Sequence, residues 1–288
     1  MEPRRSHTAM DAVMAGLEFA EYVKRCDALG THPRLDRACL LISAVFEHGV
    51  DIARSHAQLD AIALDAKRTA GGATDSYAMA GAVLDAVFNA AAFRGNAARY
   101  HDPGNSLLSS VLERRTGIPI TLSIVVIEVA RRIGLSLDGV GLPGHFVVRF
   151  PDATSRLFID AFDRGRIIDA PQCVDIVDRH TGGRVTWSDR FLEPVAPRAI
   201  IKRVLSNLKN VLSHAKDYSS ALTAIELQLA LDPGDSTELR DRGILFARLH
   251  RYDRAIADFE AYLQRSPDAS DYKQIRDMLP RLREERNL

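Results

Sequence analysis

His145 and Asp160 flank a turn-rich stretch of alternating apolar residues. An imidazole oriented by a carboxylate is the base half of a Cys-His-Asp system, whose nucleophile comes from elsewhere in the chain. Whether the two meet depends on strand register. A four-residue loop at 151–154 would set Phe150 against Ser155, Val148 against Leu157, Phe146 against Ile159 and His145 against Asp160. The apolar pairs agree with this register, since Phe146, Val148, Leu157 and Ile159 then share one face. Arg149 opposite Arg156 is the discordant pair. Directly opposed residues have β-carbons about 4.5–5.5 Å apart, within reach of an Asp–His hydrogen bond.

A thiol nucleophile in such a system sits at the head of a buried helix, where the dipole favours the thiolate. Residues 118–133 carry Glu128 as the only charge before Arg131, too apolar a run for a surface helix. Pro119 suits its first turn. The head of that helix holds no cysteine. Thr121 and Ser123 are the hydroxyls there, able to attack only beside a base and more commonly used to cap N–H groups or bond the preceding turn. Cys173 follows the Asp160 strand, with no helix start expected before it. It reads as an ordinary thiol, with a swing towards the cleft as the alternative. Cys39 lies in an apolar run and belongs in the core, whereas Cys26, between Arg25 and Asp27, reads as exposed.

Weaker candidates surround this pair. His101 and Asp102 belong to the string Tyr100-His101-Asp102-Pro103-Gly104-Asn105, which reads either as a binding or acid–base pair or as a turn whose Asp and Asn bond the backbone. Arg114 and Arg115 are candidates for meeting an acidic partner or for pairing on a solvated face. Glu128 must exit at an edge or pair with Arg131 or Arg132, because an unpaired buried carboxylate is costly.

The elements that must hold these groups follow from periodicity. Helices are expected over 10–29, 35–48, 52–70, 76–93, 106–115 and 118–133, with breaks at His32-Pro33, Gly49 and Gly71-Gly72. Strands are expected over 137–142, 145–150, 156–162 and 166–168, forming an antiparallel sheet. The class is α+β, helices first and sheet second. In the tail, Tyr218, Ala221, Leu229 and Pro233 recur 34 residues later as Tyr252, Ala255, Leu263 and Pro267. That is the tetratricopeptide period, with Gly243, Phe246 and Phe259 at its small and aromatic positions. Lys209 stands in the first copy where the second has Gly243. Residues 271–283 read as a capping helix. The junction falls at 194–197, giving an N-terminal extension at 1–34, a central domain at 35–195 and an all-α tail at 196–288.

Lys plus Arg and Asp plus Glu each total 38, so no net field draws the chain to nucleic acid. No run approaches the roughly 20 apolar residues of a membrane span. Three widely spaced cysteines suit a reducing compartment, the cytoplasm by default, and offer no metal spacing. No cofactor motif is present.

Three strings carry a family resemblance: residues 112–123 (Leu112 to Ser123, around Thr116-Gly117-Ile118-Pro119), Arg131-Arg132-Ile133-Gly134-Leu135, and Gly141-Leu142-Pro143-Gly144-His145-Phe146. With the Tyr100-His101-Asp102-Pro103 string, they resemble the SirB-type regulator family, which joins a transglutaminase-like core to a tetratricopeptide tail. The resemblance implies a papain-like core carrying the helical N-terminal part. Active relatives of that fold open the core helix with Gly-x-Cys, about fifteen residues before an Arg-x-x-Gly helix end. Counting back from Gly134 places Pro119 at the cysteine position, while His145 and Asp160 match the other two members. The resemblance thus implies a non-catalytic regulatory or protein-binding module, with a protein or peptide partner taken by the repeats, the cleft or both. The alternative is an amidohydrolase or peptidase using His145 and Asp160 with Thr121, Ser123 or Cys173 as nucleophile.

Overall fold

The computed structural model describes residues 3–150 and 156–287. Four helices lead: α1 (Pro3–Ala28), α2 (Leu35–Phe46), α3 (Ile52–Ala70) and α4 (Ser76–Leu84). Their ends follow from side chains that satisfy orphan backbone groups. Asp51 accepts from the Arg54 N–H at 2.9 Å and Asp75 from that of Ala78 at 2.8 Å. The helix expected over 76–93 is instead α4 followed by a π-helical turn at Asp85–Ala90. Cys26 is buried, not exposed as its charged neighbours suggest, because α1 sets it on one face with Phe19, Tyr22 and Val23.

Next come β1 (Arg94–Gly95), α5 (Leu108–Arg114), β2 (Thr116–Gly117) and α6 (Pro119–Arg132). The two short strands pair in parallel, Gly95 opposite Gly117. Every residue of α6 from Pro119 to Ala130 is buried, as its apolar run requires. Glu128 is paired within this core. Its Oε2 accepts from Arg131 Nε at 2.9 Å and from an Arg132 Nη at 2.8 Å, and the other Arg132 Nη donates to buried Asp36 at 2.7 Å. One guanidinium therefore neutralises two buried carboxylates and ties α6 to α2.

The sheet is β3 (Asp138–Val140), β4 (Val147–Arg149), β5 (Phe158–Asp160) and β6 (Arg166–Ile168), antiparallel in that order. Its register corrects the expectation. Val148 opposes Ile159 and Arg149 opposes Phe158, two residues away from the predicted pairing. Apolar alternation has period two and cannot detect a slip of two, whereas loop length sets register. The predicted loop at 151–154, with Ser155, lies outside the described residues. The slip removes the Arg149–Arg156 opposition and keeps His145 and Asp160 on one face.

Helix α7 (Ala170–Thr181) covers the sheet with Cys173, Ile176 and Val177 against Val140, Val147, Phe158 and Ile168. Side chains of opposite parity, Phe146, Val148 and Ile159, are fully buried too, and α6 packs on β3 and β4. The chain forms two compact units, Met1–Val204 and Leu205–Leu288. They divide within α8 (Pro197–His214). Pro194 still belongs to the sheet, bridging Val140.

The second unit continues with α9 (Tyr218–Leu231), α10 (Ser236–Arg248), α11 (Tyr252–Arg265) and α12 (Tyr272–Arg286). The repeat logic is visible at Gly243, where a β-carbon would stand 2.6 Å from the Phe259 ring. At the equivalent Lys209, the side chain lies buried between Glu238 (2.9 Å) and Asp241 (2.8 Å). The degenerate first copy thus replaces close helix packing with an ion cluster. Among the described residues, no helix is long and apolar enough to cross a membrane.

Candidate functional site

The turn before β4 places His145. Its N–H donates to Leu142 O at 3.2 Å, and Arg203 on α8 donates to both Leu142 O (2.8 Å) and His145 O (2.6 Å). Gly144 adopts φ 76, and a β-carbon there would stand 2.7 Å from Cβ of His180. Only glycine serves, since the left-handed conformation and the close approach both exclude a side chain. The His180 ring stacks on His145 at 5.3 Å between centroids.

His145 Nε2 lies 3.0 Å from Asp160 Oδ1, and both residues are buried. The pair predicted from sequence forms, although the slipped register makes it diagonal rather than directly opposed. The backbone N–H groups of Phe162 (3.0 Å) and Asp163 (3.3 Å) also donate to Asp160 Oδ1. Burial pushes the Asp160 carboxyl up, but the His145 hydrogen bond and charge and these two N–H groups outweigh it and hold it below the ordinary aspartate value. The ionised carboxylate accepts the Nε2 proton, which leaves Nδ1 for another partner. That Nδ1 is buried and has no hydrogen-bond partner among the described residues.

Beside the pair opens a cleft of about 530 Å³, within the range of small-ligand sites. Gly95, Phe162 and one face of α7 line it, with Gln172, Asp175, Ile176, Arg179 and His180 at helical spacing. Arg94, Arg164 and Arg166 also line it. Burial, then the neighbouring His145 and Arg179, holds His180 below its ordinary value against the pull of Asp160.

The candidate nucleophiles lie apart from this arrangement. Thr121 Oγ1 donates to Asn105 O at 2.7 Å and accepts from the Ile118 N–H at 3.1 Å, locking the head of α6. Ser123 is fully buried, its hydroxyl without a partner among the described residues. Neither these two nor Pro119 lines the cleft. Cys173 corrects the expectation in a different way. It does lie in the first turn of a helix, because Asp169 caps α7 by accepting from the Gln172 N–H at 3.0 Å, with Gln172 returning the bond. Its thiol nevertheless belongs to the apolar cluster under the sheet. Burial, with the Asp160 and Asp169 charges, pushes its pKa up to about 12.

The weaker candidates have structural partners. Asp102 accepts from the Gly104 N–H at 2.9 Å and pairs with Arg114 at 3.1 Å. His101 is exposed, edge-on to Tyr100. Arg115 lies over the Phe93 ring at 4.9 Å. No group of three or more His, Cys, Asp or Glu side chains among the described residues could hold a metal ion. What the sequence reading missed was α7 and the cleft face it carries. The string Asp169-Ala170-Pro171-Gln172 held the signal, an N-cap followed by Pro and a capping-box Gln.

Comparison with known proteins agrees with this architecture. Residues 53–206 match the transglutaminase-like superfamily and residues 208–280 match the tetratricopeptide repeat. A UPF0162 protein of Xylella fastidiosa (strain 9a5c) is 39% identical over 204 residues, covering 69% of this chain and 72% of that protein. A UPF0162 protein of Vibrio cholerae is 28% identical over 177 residues, covering 61% of this chain and 65% of its own length. Human F-box only protein 21 is 28% identical over 183 residues, 58% of this chain and 28% of that longer protein. With a buried core helix, an antiparallel sheet carrying the His–Asp pair and a repeat tail, the chain belongs to the transglutaminase-like superfamily, in the SirB-type group of UPF0162 proteins.

Proposed function

We propose that this chain is a non-catalytic binding module with a regulatory role, in which the transglutaminase-like cleft holds a ligand without transforming it. Tetratricopeptide repeats generally mediate protein–protein interaction, and the tail is read here as a second surface for a protein partner. The observation that carries the reading is the buried His145–Asp160 pair, whose remaining nitrogen meets no nucleophile while Thr121 and Cys173 are committed elsewhere. A nucleophile needs its base within about 2.6–3.2 Å. The test is a panel of peptide amides and acyl acceptors incubated with the full chain and read by mass spectrometry. Unchanged substrates are expected. Hydrolysis or acyl transfer that disappears in His145→Ala would overturn the reading.

A second reading rests on Ser123, whose hydroxyl is buried without a partner among the described residues. As an amidohydrolase nucleophile it would lose all turnover in Ser123→Ala, whereas in the binding reading that substitution leaves ligand affinity unchanged.

A further inference from the structure

The cleft's electrostatics are not those of the chain as a whole. Four guanidinium groups, from Arg94, Arg164, Arg166 and Arg179, line it against three carboxylates. Asp160 is committed to His145 at 3.0 Å and Asp163 pairs with Arg166 at 3.5 Å. Arg179 spends only its Nε, on the Asp175 carbonyl at 3.3 Å, and Arg94 and Arg164 have no carboxylate partner among the described residues. Arg164 holds φ 53, a left-handed conformation that is strained for any residue but glycine, in the turn that begins at Asp160. That turn therefore presents a cation at the cleft at some cost to itself.

Below these cations lies a different requirement. His145 is 4% exposed and lines the cleft, and its Nδ1 has no hydrogen-bond partner among the described residues. A buried ring nitrogen without a partner is destabilising, and a ligand that hydrogen-bonds it recovers that loss. The ligand must therefore combine an anion for the guanidinium forks with a hydrogen-bonding group for the imidazole. Phe162, Ile168 and Ile176 add apolar wall between the two.

We propose that the cleft takes a short acidic peptide segment, an Asp or Glu carboxylate meeting Arg94, Arg164 and Arg179 while a backbone amide hydrogen-bonds Nδ1 of His145. This rests on reading the cleft as a binding site. Carboxylate matches the guanidinium fork in bidentate geometry. A phosphate dianion matches it equally but offers acceptors alone, whereas a peptide amide carries both a donor and an acceptor and so meets Nδ1 in either tautomer.

The test uses the full chain and pairs of fluorescent tetrapeptides in which Asp or Glu is replaced by Asn or Gln, read by anisotropy. Peptide mass is read in the same samples. The acidic member should bind about tenfold tighter or more, the worth of one charge-assisted hydrogen-bond pair, and the advantage should shrink as salt rises. It should disappear in the double variant Arg94→Gln/Arg164→Gln, both exposed positions, and persist in the control Arg68→Gln outside the cleft. Equal affinity for acid and amide, no binding of either, or inorganic phosphate competing as well as the acidic peptide would overturn the proposal. Cleavage of a bound peptide would instead overturn the non-catalytic reading, and the acid-over-amide preference would still be read from the rates.

Discussion

By the resemblance to active transglutaminase-like proteins, the head of α6 and the hairpin that carries His145 stand for the nucleophile half and the base half of one catalytic design, and the two differ in how their polar groups are used. At the head of α6, Pro119 fills the first turn and Thr121 spends its hydroxyl on Asn105 and Ile118. The tail of the same helix is anchored by Arg132 between Asp36 and Glu128. These choices are explained by stability. The α6 half also keeps one buried hydroxyl, Ser123, without a partner among the described residues, but away from the cleft; the unpartnered Nδ1 of His145 lines the cleft, beside Arg94 and Arg164, which have no carboxylate partner among those residues. Polar groups left unsatisfied in a well-packed protein mark sites shaped for something outside the chain. In the binding reading proposed above, the contrast is that of a base half kept for a ligand without its nucleophile.

The comparison breaks most readily at the tail of α6. Arg132→Met removes the link between two buried carboxylates, though Arg131 still meets Glu128 and Arg34 still meets Asp36, and should cost about 2–3 kcal/mol. Urea denaturation reads this, and a loss below about 1 kcal/mol would show that the network is not what anchors the helix. A smaller effect comes from Asp160→Asn, expected to cost about 1–3 kcal/mol at neutral pH because it strips the charged acceptor from a buried imidazole. The sign with pH follows from Asp160 being held below its ordinary value. Its contribution is fully present above the unfolded aspartate value of about 3.9 and is lost as pH falls through the lower folded value. Wild type and variant should therefore begin to converge only below about pH 4 in urea midpoints, and a gap that does not narrow as the pH falls further would assign the stabilisation elsewhere. Thr121→Val should cost about 1 kcal/mol of stability and leave peptide affinity unchanged, because its hydroxyl serves only the backbone. The gentlest change, Pro119→Cys, should shift stability by less than about 1 kcal/mol. Iodoacetamide labelling should find the introduced thiol as slow as Cys173, since position 119 does not line the cleft. Fast, His145-dependent labelling would instead make the missing thiol the only defect.

Much of this fold can be read from the sequence where one period dominates. The apolar run of α6 and the 34-residue repeat of the tail are such signals, and Lys209 at the position of Gly243 announced that the first repeat would pack differently. The His145–Asp160 pair was legible because a slip of two residues preserves the face. The exact register was not, because it depends on a loop whose length periodicity does not report. Cys26 misled through its charged neighbours, although Phe19, Tyr22 and Val23 lie at i−7, i−4 and i−3 from it and mark its face as buried. The cleft itself was hidden for a physical reason. Arg94, Arg164 and Arg179 come from β1, the turn after β5, and α7, and only tertiary packing brings them to one cavity.

The central claim, that the base half survives without a nucleophile, is tested most directly by intact-mass spectrometry of the native chain treated with a fluorophosphonate and, separately, with iodoacetamide. The account predicts no adduct at Thr121, Ser123 or Cys173 until the protein is denatured, when the cysteines label together. A single adduct on one of those residues in the native chain, abolished by His145→Ala, would contradict it and make this cleft an active site.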